Sequence, residues 1–225
     1  TDVITTNEPY ATTWVALQGG TTTIVDFCTN EPGMNLVDSV NYRLNVRAKS
    51  KVAPEIAIHA CCNDFTDETV GEIKKLVEMG VPTMKLFLAY KGTSLYMDDS
   101  KLLACLEEAG KQGMTMMVHA ENPDVLDKCR NDAAATGHYE PKYHYMTRPP
   151  YGEAEAVSRA IRFADAMHCP MCIVHVSCIE AGEEIRKARA EGKAVIGETC
   201  PHYLVLDKHK MDHPDWHIAA RWICS

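Results

Sequence analysis

The sequence predicts a parallel α/β fold, in which strands and helices alternate along the chain. Strand-like runs begin near positions 22, 55, 83, 114, 171 and 194, and a helical pattern separates most neighbouring runs. A strand and a helix repeating at about thirty residues per unit are typical of a parallel sheet covered by helices. With 225 residues, of which 46% are hydrophobic, the chain can bury one sizeable core.

Two arrangements of such a sheet are compatible with this pattern. One is an open doubly wound sheet, but no G-x-G-x-x-G sequence or P-loop follows a predicted strand. A nucleotide-dependent oxidoreductase on an open sheet is therefore not favoured. The other arrangement is a (β/α)8 barrel, which needs eight strands and typically about 250 residues. Because six strands are predicted, the pattern indicates either an open sheet or a part of a barrel.

The first part of the chain begins with a predicted helix that ends at Gln18, since two glycines follow it. The β-branched run 21–28 then predicts a strand. Apolar residues at helical and strand spacing predict the next elements: a helix over 36–47, a strand over 55–59 and a helix over 66–79.

The run from Val81 to Gly92 predicts a short buried strand with Lys85 in its middle. Burial disfavours the charged form of a lysine and lowers its pKa. A neutral buried amine is a nucleophile. We therefore expect Lys85 either to extend to solvent along the strand or to have a chemical role.

The second part of the chain repeats the same alternation. Helices are predicted over 98–112, 153–167 and 179–191, and strands over 114–118, 171–176 and 193–198. The connection 137–152 is rich in proline and aromatic residues. It is predicted to be an ordered surface loop or a subunit contact.

Composition and charge limit the classes of partner. A net charge of -8 argues against nucleic acid or an anionic membrane surface as the main partner. The sequence shows no apolar run of bilayer length and no initial signal peptide, so we expect a cytoplasmic protein. Its ten cysteines lie mostly in apolar patterns, which favours reduced thiols. Cys169 and Cys172 are interpreted as buried thiols rather than as a redox or metal-binding pair.

Three predicted strands carry a possible metal ligand at or near their carboxyl ends: Lys85, His119 and His175. In parallel α/β folds these ends line the ligand-binding crevice. A lone histidine that closes a strand is usually a satisfied core residue, but two on neighbouring strands favour a metal site. Two histidines do not hold a zinc ion by themselves, because a catalytic zinc site has three protein ligands and an open position.

Other polar residues are weaker candidates. His59 also ends a predicted strand and is the strongest competitor. Glu121 and Glu198 lie near strand ends, where a carboxylate could orient a ligating histidine. Four further histidines are expected in a loop or on solvated surface: His202, His209, His213 and His217.

Five sequence blocks resemble the hydantoinase/dihydropyrimidinase branch of the cyclic amidohydrolases. They follow the family's order and span almost the whole chain: GGTTTIVDF (19–27), MKLFLAYK (84–91), VHAEN (118–122), IVHVSC (173–178) and GETCPHYL (197–204). The resemblance implies a (β/α)8 TIM barrel of the amidohydrolase type. Residues 1–225 would then be a single partial barrel domain, and the six strands would be its second to seventh.

The resemblance also implies a site and a reaction. Two divalent metal ions, usually zinc, would be bridged by a carbamylated Lys85, and His119 and His175 would bind the second ion. Tyr90 matches the tyrosine that hydrogen-bonds the substrate and the developing oxyanion, and Ser225 matches the serine whose backbone holds the substrate ring. The implied activity is hydrolysis of the cyclic amide bond of hydantoins or dihydropyrimidines to N-carbamoyl amino acids. The implied assembly is a homotetramer.

Parts of the family pattern are expected to lie outside these 225 residues. They are a His-x-His pair on the first strand, an aspartate on the eighth strand and a small β-sandwich. Within the chain, Pro123 stands where the family commonly has glycine. The alternative to an enzyme is therefore a non-catalytic dihydropyrimidinase-like scaffold protein or an inactive fragment.

Overall fold

The computed structural model describes residues 9–49 and 54–224, and these residues build one six-stranded sheet with helices between the strands. The strands are β1 Thr23–Thr29, β2 Glu55–Cys61, β3 Thr83–Phe87, β4 Thr115–His119, β5 Met171–Ile173 and β6 Val195–Gly197. The helices are α1 Pro9–Gln18, α2 Leu36–Lys49, α3 Thr69–Glu78, α4 Asp99–Gln112, α5 Pro123–Ala135, α6 Tyr143–Met146, α7 Pro150–Ala166, α8 Ile179–Ala190 and α9 Trp216–Ala220. Two 3-10 helices, Pro201–Leu204 and Lys208–Asp212, follow β6.

The order of the strands in the sheet is their order in the sequence. All five neighbouring pairs, from β1–β2 to β5–β6, are parallel. In an open doubly wound sheet the order reverses at a switch point, whereas a barrel adds each strand beside the previous one. The predicted parallel α/β class is confirmed, and the six βα units form part of a (β/α)8 barrel.

The two faces of the sheet bury different sets of side chains. Successive residues of a strand point to opposite faces, so Met84 and Leu86 pack with the helices while Lys85 points to the other side. On that inner face, Lys85 is in register with Met117, which is in register with Cys172. Together with Val174, Met117 and Cys172 form a small buried cluster separate from the main core. Lys85 therefore projects into the interior of the barrel.

Helix α5 was not predicted from the sequence, although its start carries ordinary signals. The side chain of Asn122 accepts hydrogen bonds from the backbone N–H groups of Asp124 and Val125 at 3.0 and 3.2 Å. Pro123 occupies the first helical turn, where its missing N–H costs nothing. Most of the remaining residues are polar or small, so no apolar period reveals the helix.

The connection 137–152 was predicted to be a loop, and this is only partly correct. It contains the short helix α6, and α7 already begins at Pro150, because proline suits the first turn of a helix. Strands β5 and β6 are shorter than predicted. His175 lies two residues beyond β5, with a φ of 41°. This left-handed turn takes the apolar run out of the sheet ladder.

The predicted helix over residues 1–18 is described from Pro9 onward, and residues 1–8 lie outside the described part of the chain. Cys169 and Cys172 are buried, as the sequence predicts, and every cysteine in the described ranges is a free thiol. None of the helices described above is both long and apolar enough to cross a membrane.

Candidate active site

Lys85 is a buried cation in the middle of β3. Its side chain is 5% exposed, and its Nζ lies 4.8 Å from the ring centroid of Phe87 and 5.4 Å from that of Phe27. Within the described residues, no carboxylate forms an ion pair with it. Burial lowers the pKa of the Lys85 amine, although the potential of Cys61 and Glu198 acts in the opposite direction. The site thus favours a more neutral, more nucleophilic amine than an exposed lysine offers.

His119 and His175 meet across the carboxyl ends of β4 and β5. His119 is the last residue of β4 and is 2% exposed. Its Nδ1 lies 3.0 Å from Nε2 of His175, and the two rings meet edge to face at 68°, with 4.6 Å between their centroids. Burial, together with the charges of His119 and Lys85, lowers the pKa of His175 to about 4. At neutral pH His175 is therefore an uncharged imidazole, the form that binds metal ions.

The carboxylate of Glu121 holds the other nitrogen of His119. Nε2 of His119 lies 2.7 Å from Oε2 of Glu121, and Oε1 of the same carboxylate lies 3.6 Å from Nε of Arg148. A carboxylate only accepts hydrogen bonds, so the proton of His119 sits on Nε2 and Nδ1 presents a lone pair to His175. Burial tends to raise the pKa of Glu121, but the bond from His119 and the charge of Arg148 lower it overall.

Tyr90 lies beside this histidine pair, in the connection that follows β3. Its ring centroid is 5.3 Å from that of His119 and 5.9 Å from that of Phe87. Its backbone has a φ of 66°, and its carbonyl oxygen accepts hydrogen bonds from the N–H and the hydroxyl of Thr93. Burial and the charge of Glu121 raise the pKa of the phenol, so Tyr90 keeps its proton at neutral pH and is able to donate it in a hydrogen bond.

Within the described residues, none of the remaining sequence candidates forms a side-chain hydrogen bond with His119 or His175. His59 lies beside the start of β3, where its Nδ1 is 2.6 Å from the hydroxyl of Thr83. Glu198 contacts the site through its backbone, since its carbonyl accepts from the N–H of Val176 at 2.7 Å, while its side chain is exposed. The four histidines of the C-terminal region lie outside the pair, and three of them, His209, His213 and His217, are exposed as expected. Ser225 is outside the described residues.

Arg148 and Glu153 were not predicted from the sequence as site residues. Arg148 contacts Glu121, and Glu153 contacts Ser177. Glu153 accepts hydrogen bonds from the backbone N–H and the hydroxyl of Ser177, at 3.0 and 2.6 Å, and so holds the turn that carries His175. A small cavity of about 50 Å³ is lined by His119, Glu121, Arg148, Glu153, His175 and Ser177. The only local signal for these residues was their position in or beside a proline-rich connection, which does not reveal a long-range contact.

The donor set of the site suits a metal ion but is incomplete in the described ranges. No group of three or more histidine, cysteine, aspartate or glutamate side chains in residues 9–49 and 54–224 is placed to hold a metal. Two imidazoles with facing nitrogens nevertheless match the ligand chemistry of zinc, and a buried amine lies on an adjacent strand. The described residues are thus compatible with part of a metal centre.

Among curated proteins, D-hydantoinases and dihydropyrimidinases have sequences similar to that of this chain. No family model matches the sequence. D-hydantoinase from Ralstonia pickettii is 40% identical over 213 residues, an alignment that covers 94% of this chain and 46% of that protein. Dihydropyrimidinase from Rattus norvegicus is 35% identical over 213 residues, covering 94% of this chain and 40% of the relative.

The solved structures agree with the sequence comparison. The D-hydantoinase from Bacillus sp. AR9 superimposes with a TM-score of 0.90 at 37% identity, over 97% of this chain and 48% of that one. The chain spans about half the length of the curated relatives it matches. Over almost its whole length, the chain is therefore similar in sequence and in fold to about half the length of the D-hydantoinases and dihydropyrimidinases.

Proposed function

We propose that the protein containing this chain is a metal-dependent cyclic amidohydrolase that opens hydantoins or dihydropyrimidines to N-carbamoyl amino acids. The observation that carries the proposal is the pair of facing nitrogens of His119 and His175, 3.0 Å apart, at the carboxyl ends of neighbouring strands. The names of the relatives, D-hydantoinase and dihydropyrimidinase, support the reaction class. A barrel whose functional residues lie at the carboxyl ends of its strands is consistent with it.

Lys85, His119 and His175 would hold the metal, with zinc as the expected ion. Addition of CO2 to the neutral amine of Lys85 forms an N–C bond and releases a proton, which leaves an anionic carbamate. That anion would be costly at this buried position without a bound cation, and its two oxygens would let it bridge two ions. Divalent metals in such sites supply a water that is nucleophilic at neutral pH and polarise the amide carbonyl.

The side chains around the metal ligands would fix their orientation and assist the reaction. Glu121 keeps the proton of His119 on Nε2, so that Nδ1 is free to ligate. Tyr90, a protonated phenol beside His119, would donate a hydrogen bond to the oxygen on which negative charge develops. Glu153, by holding Ser177, would keep the turn with His175 in place.

The finer expectations from the family are part of the same proposal. Residues 1–225 would supply the second to seventh strands of one barrel domain, and the backbone of Ser225 would hold the substrate ring. The complete protein would be a cytoplasmic homotetramer that acts on a small cyclic amide and requires neither nucleic acid nor a membrane.

The direct test is ring opening by the purified complete protein, followed as loss of hydantoin and of dihydrouracil, with metal analysis on the same sample. Hydrolysis of either ring together with about two zinc ions per chain would support a two-metal site. A folded, metal-loaded protein that opens neither ring would overturn the proposed activity and favour the scaffold alternative.

A further inference from the structure

A line of side-chain contacts connects the metal-site histidine His119 to the backbone of Cys224. From His119 it passes to Glu121 at 2.7 Å and on to Arg148 at 3.6 Å. Nη1 of Arg148 lies 3.2 Å from Nδ1 of His144, and Nε2 of His144 lies 2.8 Å from the carbonyl oxygen of Cys224. His144 therefore joins the region after β6 to the proposed active site.

The hydrogen-bonding chemistry of Arg148 and of the Cys224 carbonyl determines the charge and the tautomer of the His144 imidazole. A guanidinium only donates hydrogen bonds and a backbone carbonyl only accepts them. Nδ1 of His144 must then accept from Arg148, while Nε2 must carry the proton that is donated to Cys224. Both bonds exist together only when the imidazole of His144 is neutral and protonated on Nε2.

The surroundings of His144 favour this neutral form. Burial and the charge of Arg148 lower its pKa, whereas the bond to Cys224 and the charge of Glu121 act in the opposite direction. The net effect is a lowered pKa, so the ring is uncharged at neutral pH. Nη1 of Arg148 also donates to the carbonyl oxygen of His144 at 3.1 Å, which holds the backbone of α6 against the same guanidinium.

The bond to Cys224 shapes a cavity beside the histidine pair. This cavity, about 570 Å³, lies between helix α6 and the region after β6, and His144, Tyr203, Trp222 and Cys224 contribute to its walls. It shares Arg148, Glu153 and Ser177 with the smaller cavity that contains His119 and His175. Trp222 and Cys224 form one side of this cavity, the 222–224 wall. The position of this wall therefore determines the space next to the site.

We propose that His144 is a positioning residue for the substrate: its neutral imidazole, oriented by Arg148, holds the backbone carbonyl of Cys224 and so fixes the wall of the substrate cavity next to the metal ligands. The role in substrate binding rests on the proposed function. The fastening itself is a property of the fold and can be measured without any substrate.

Two substitutions separate the two bonds of His144. His144→Gln places an amide N–H near the position of Nε2 and keeps a donor for Cys224, while it removes the acceptor at Nδ1. His144→Asn places its amide near Nδ1 and keeps a partner for Arg148, while it removes the donor for Cys224. Met146→Leu, a change of similar volume at an exposed position of the same helix, is the matched control.

Hydrogen exchange of residues 216–224 in the complete protein is the first readout. We expect His144→Asn to accelerate exchange there about tenfold, the effect of one lost hydrogen bond. His144→Gln should stay within about twofold of the wild type and of Met146→Leu. Unchanged exchange in His144→Asn would overturn the inference, whether or not the protein hydrolyses hydantoins.

Steady-state kinetics with hydantoin provide the second readout. His144→Asn should raise KM about tenfold while kcat and metal content stay within about twofold of the wild type, and His144→Gln should restore most of the affinity. A fall in kcat and metal content with unchanged KM would overturn the role in substrate positioning. An inactive wild type would overturn the proposed function, and the exchange experiment would still decide whether His144 holds the 222–224 wall.

Discussion

Nδ1 of His119 lies 3.0 Å from Nε2 of His175, although 56 positions separate the two residues in the sequence. The parallel sheet brings them together, because β4 and β5 are neighbours and both histidines follow the buried part of a strand. Glu121 fixes the proton of His119 on the opposite ring nitrogen. The pair therefore brings two ring nitrogens together at one place, and we expect its affinity for a cation to depend on the Glu121 carboxylate.

Removal of the Glu121 carboxylate should weaken metal binding. In Glu121→Ala the proton of His119 is no longer held on Nε2, and the affinity for zinc should fall about 10–100-fold. Glu121→Gln keeps an oxygen that accepts from His119 and should lose less. Glu78→Gln, at an exposed position of α3, is the matched control. Competition titration with a zinc chelator measures the effect, and equal affinities for all four proteins would argue against an orienting role.

Lys85→Met should have opposite effects on stability and activity. In metal-free protein it removes a buried ammonium that has no ion-pair partner among the described residues, so the free energy of unfolding should rise by about 1 kcal/mol or more. In the complete metal-loaded protein, the same change removes the proposed bridging carbamate and should abolish activity, as should Lys85→Ala.

The control for Lys85 is Lys74→Met, because the side chain of Lys74 is 62% exposed. This change should shift the free energy of unfolding by less than about 0.5 kcal/mol. Denaturant titration and metal analysis provide the two measurements. Activity of Lys85→Ala at wild-type metal content would contradict the proposed role of Lys85.

Tyr90→Phe isolates the phenol hydroxyl. The ring contacts with Phe87 and His119 remain, but the hydrogen bond to the developing oxyanion is lost, so kcat should fall about 10²-fold while metal content is unchanged. Tyr96→Phe, in the same connection after β3, should leave kcat within about twofold. If both variants keep wild-type kcat, the hydroxyl of Tyr90 has no part in the reaction.

Much of the fold and part of the site could be predicted from the sequence because both depend on local patterns. Apolar runs that end in His119 and His175 identify buried strands, and parallel strands bring their ends together at one edge. The apolar run around Lys85 predicted a buried strand, and the alternation of side chains along β3 places Lys85 on the face opposite Met84 and Leu86.

The rest of the site depends on contacts that no local pattern contains. Arg148 follows α6 in a connection predicted to be a loop, yet it reaches both Glu121 and His144. The left-handed backbone of His175 is imposed by the surrounding turn, since a non-glycine residue rarely adopts it alone. Such features appear only when separate elements pack together.

Two helical glycines test the packing of the helices. A methyl group on Gly110, in α4, would overlap the backbone carbonyl oxygen of Met167, so Gly110→Ala should lower the free energy of unfolding by about 2–3 kcal/mol. Gly182, in α8, has no atom within 4 Å of that position, and Gly182→Ala should stabilise the protein by about 0.5–1 kcal/mol through helix propensity. Thermal and denaturant unfolding measure both, and equal effects would contradict the packing of α4 against the turn after α7.

Two buried thiols should make the protein less stable in alkali. Burial raises the pKa of Cys62 and of Cys105 from 9.0 to about 12, and both side chains are fully buried. The native state therefore keeps protons that the unfolded chain loses, so this contribution to stability is complete below pH 9 and is lost as the pH rises toward 12. At pH 10 the loss should be roughly 1 kcal/mol per thiol, measured by denaturant unfolding at pH 8 and pH 10.

Lysines and tyrosines also titrate in this range, so the comparison that decides is with Cys62→Ala/Cys105→Ala. The loss of stability in this double variant should be smaller by about the sum of the two thiols, and Cys224→Ser is the control for replacing a cysteine at an exposed position. The same loss of stability in all three proteins would show that the two thiols do not cause the alkaline sensitivity.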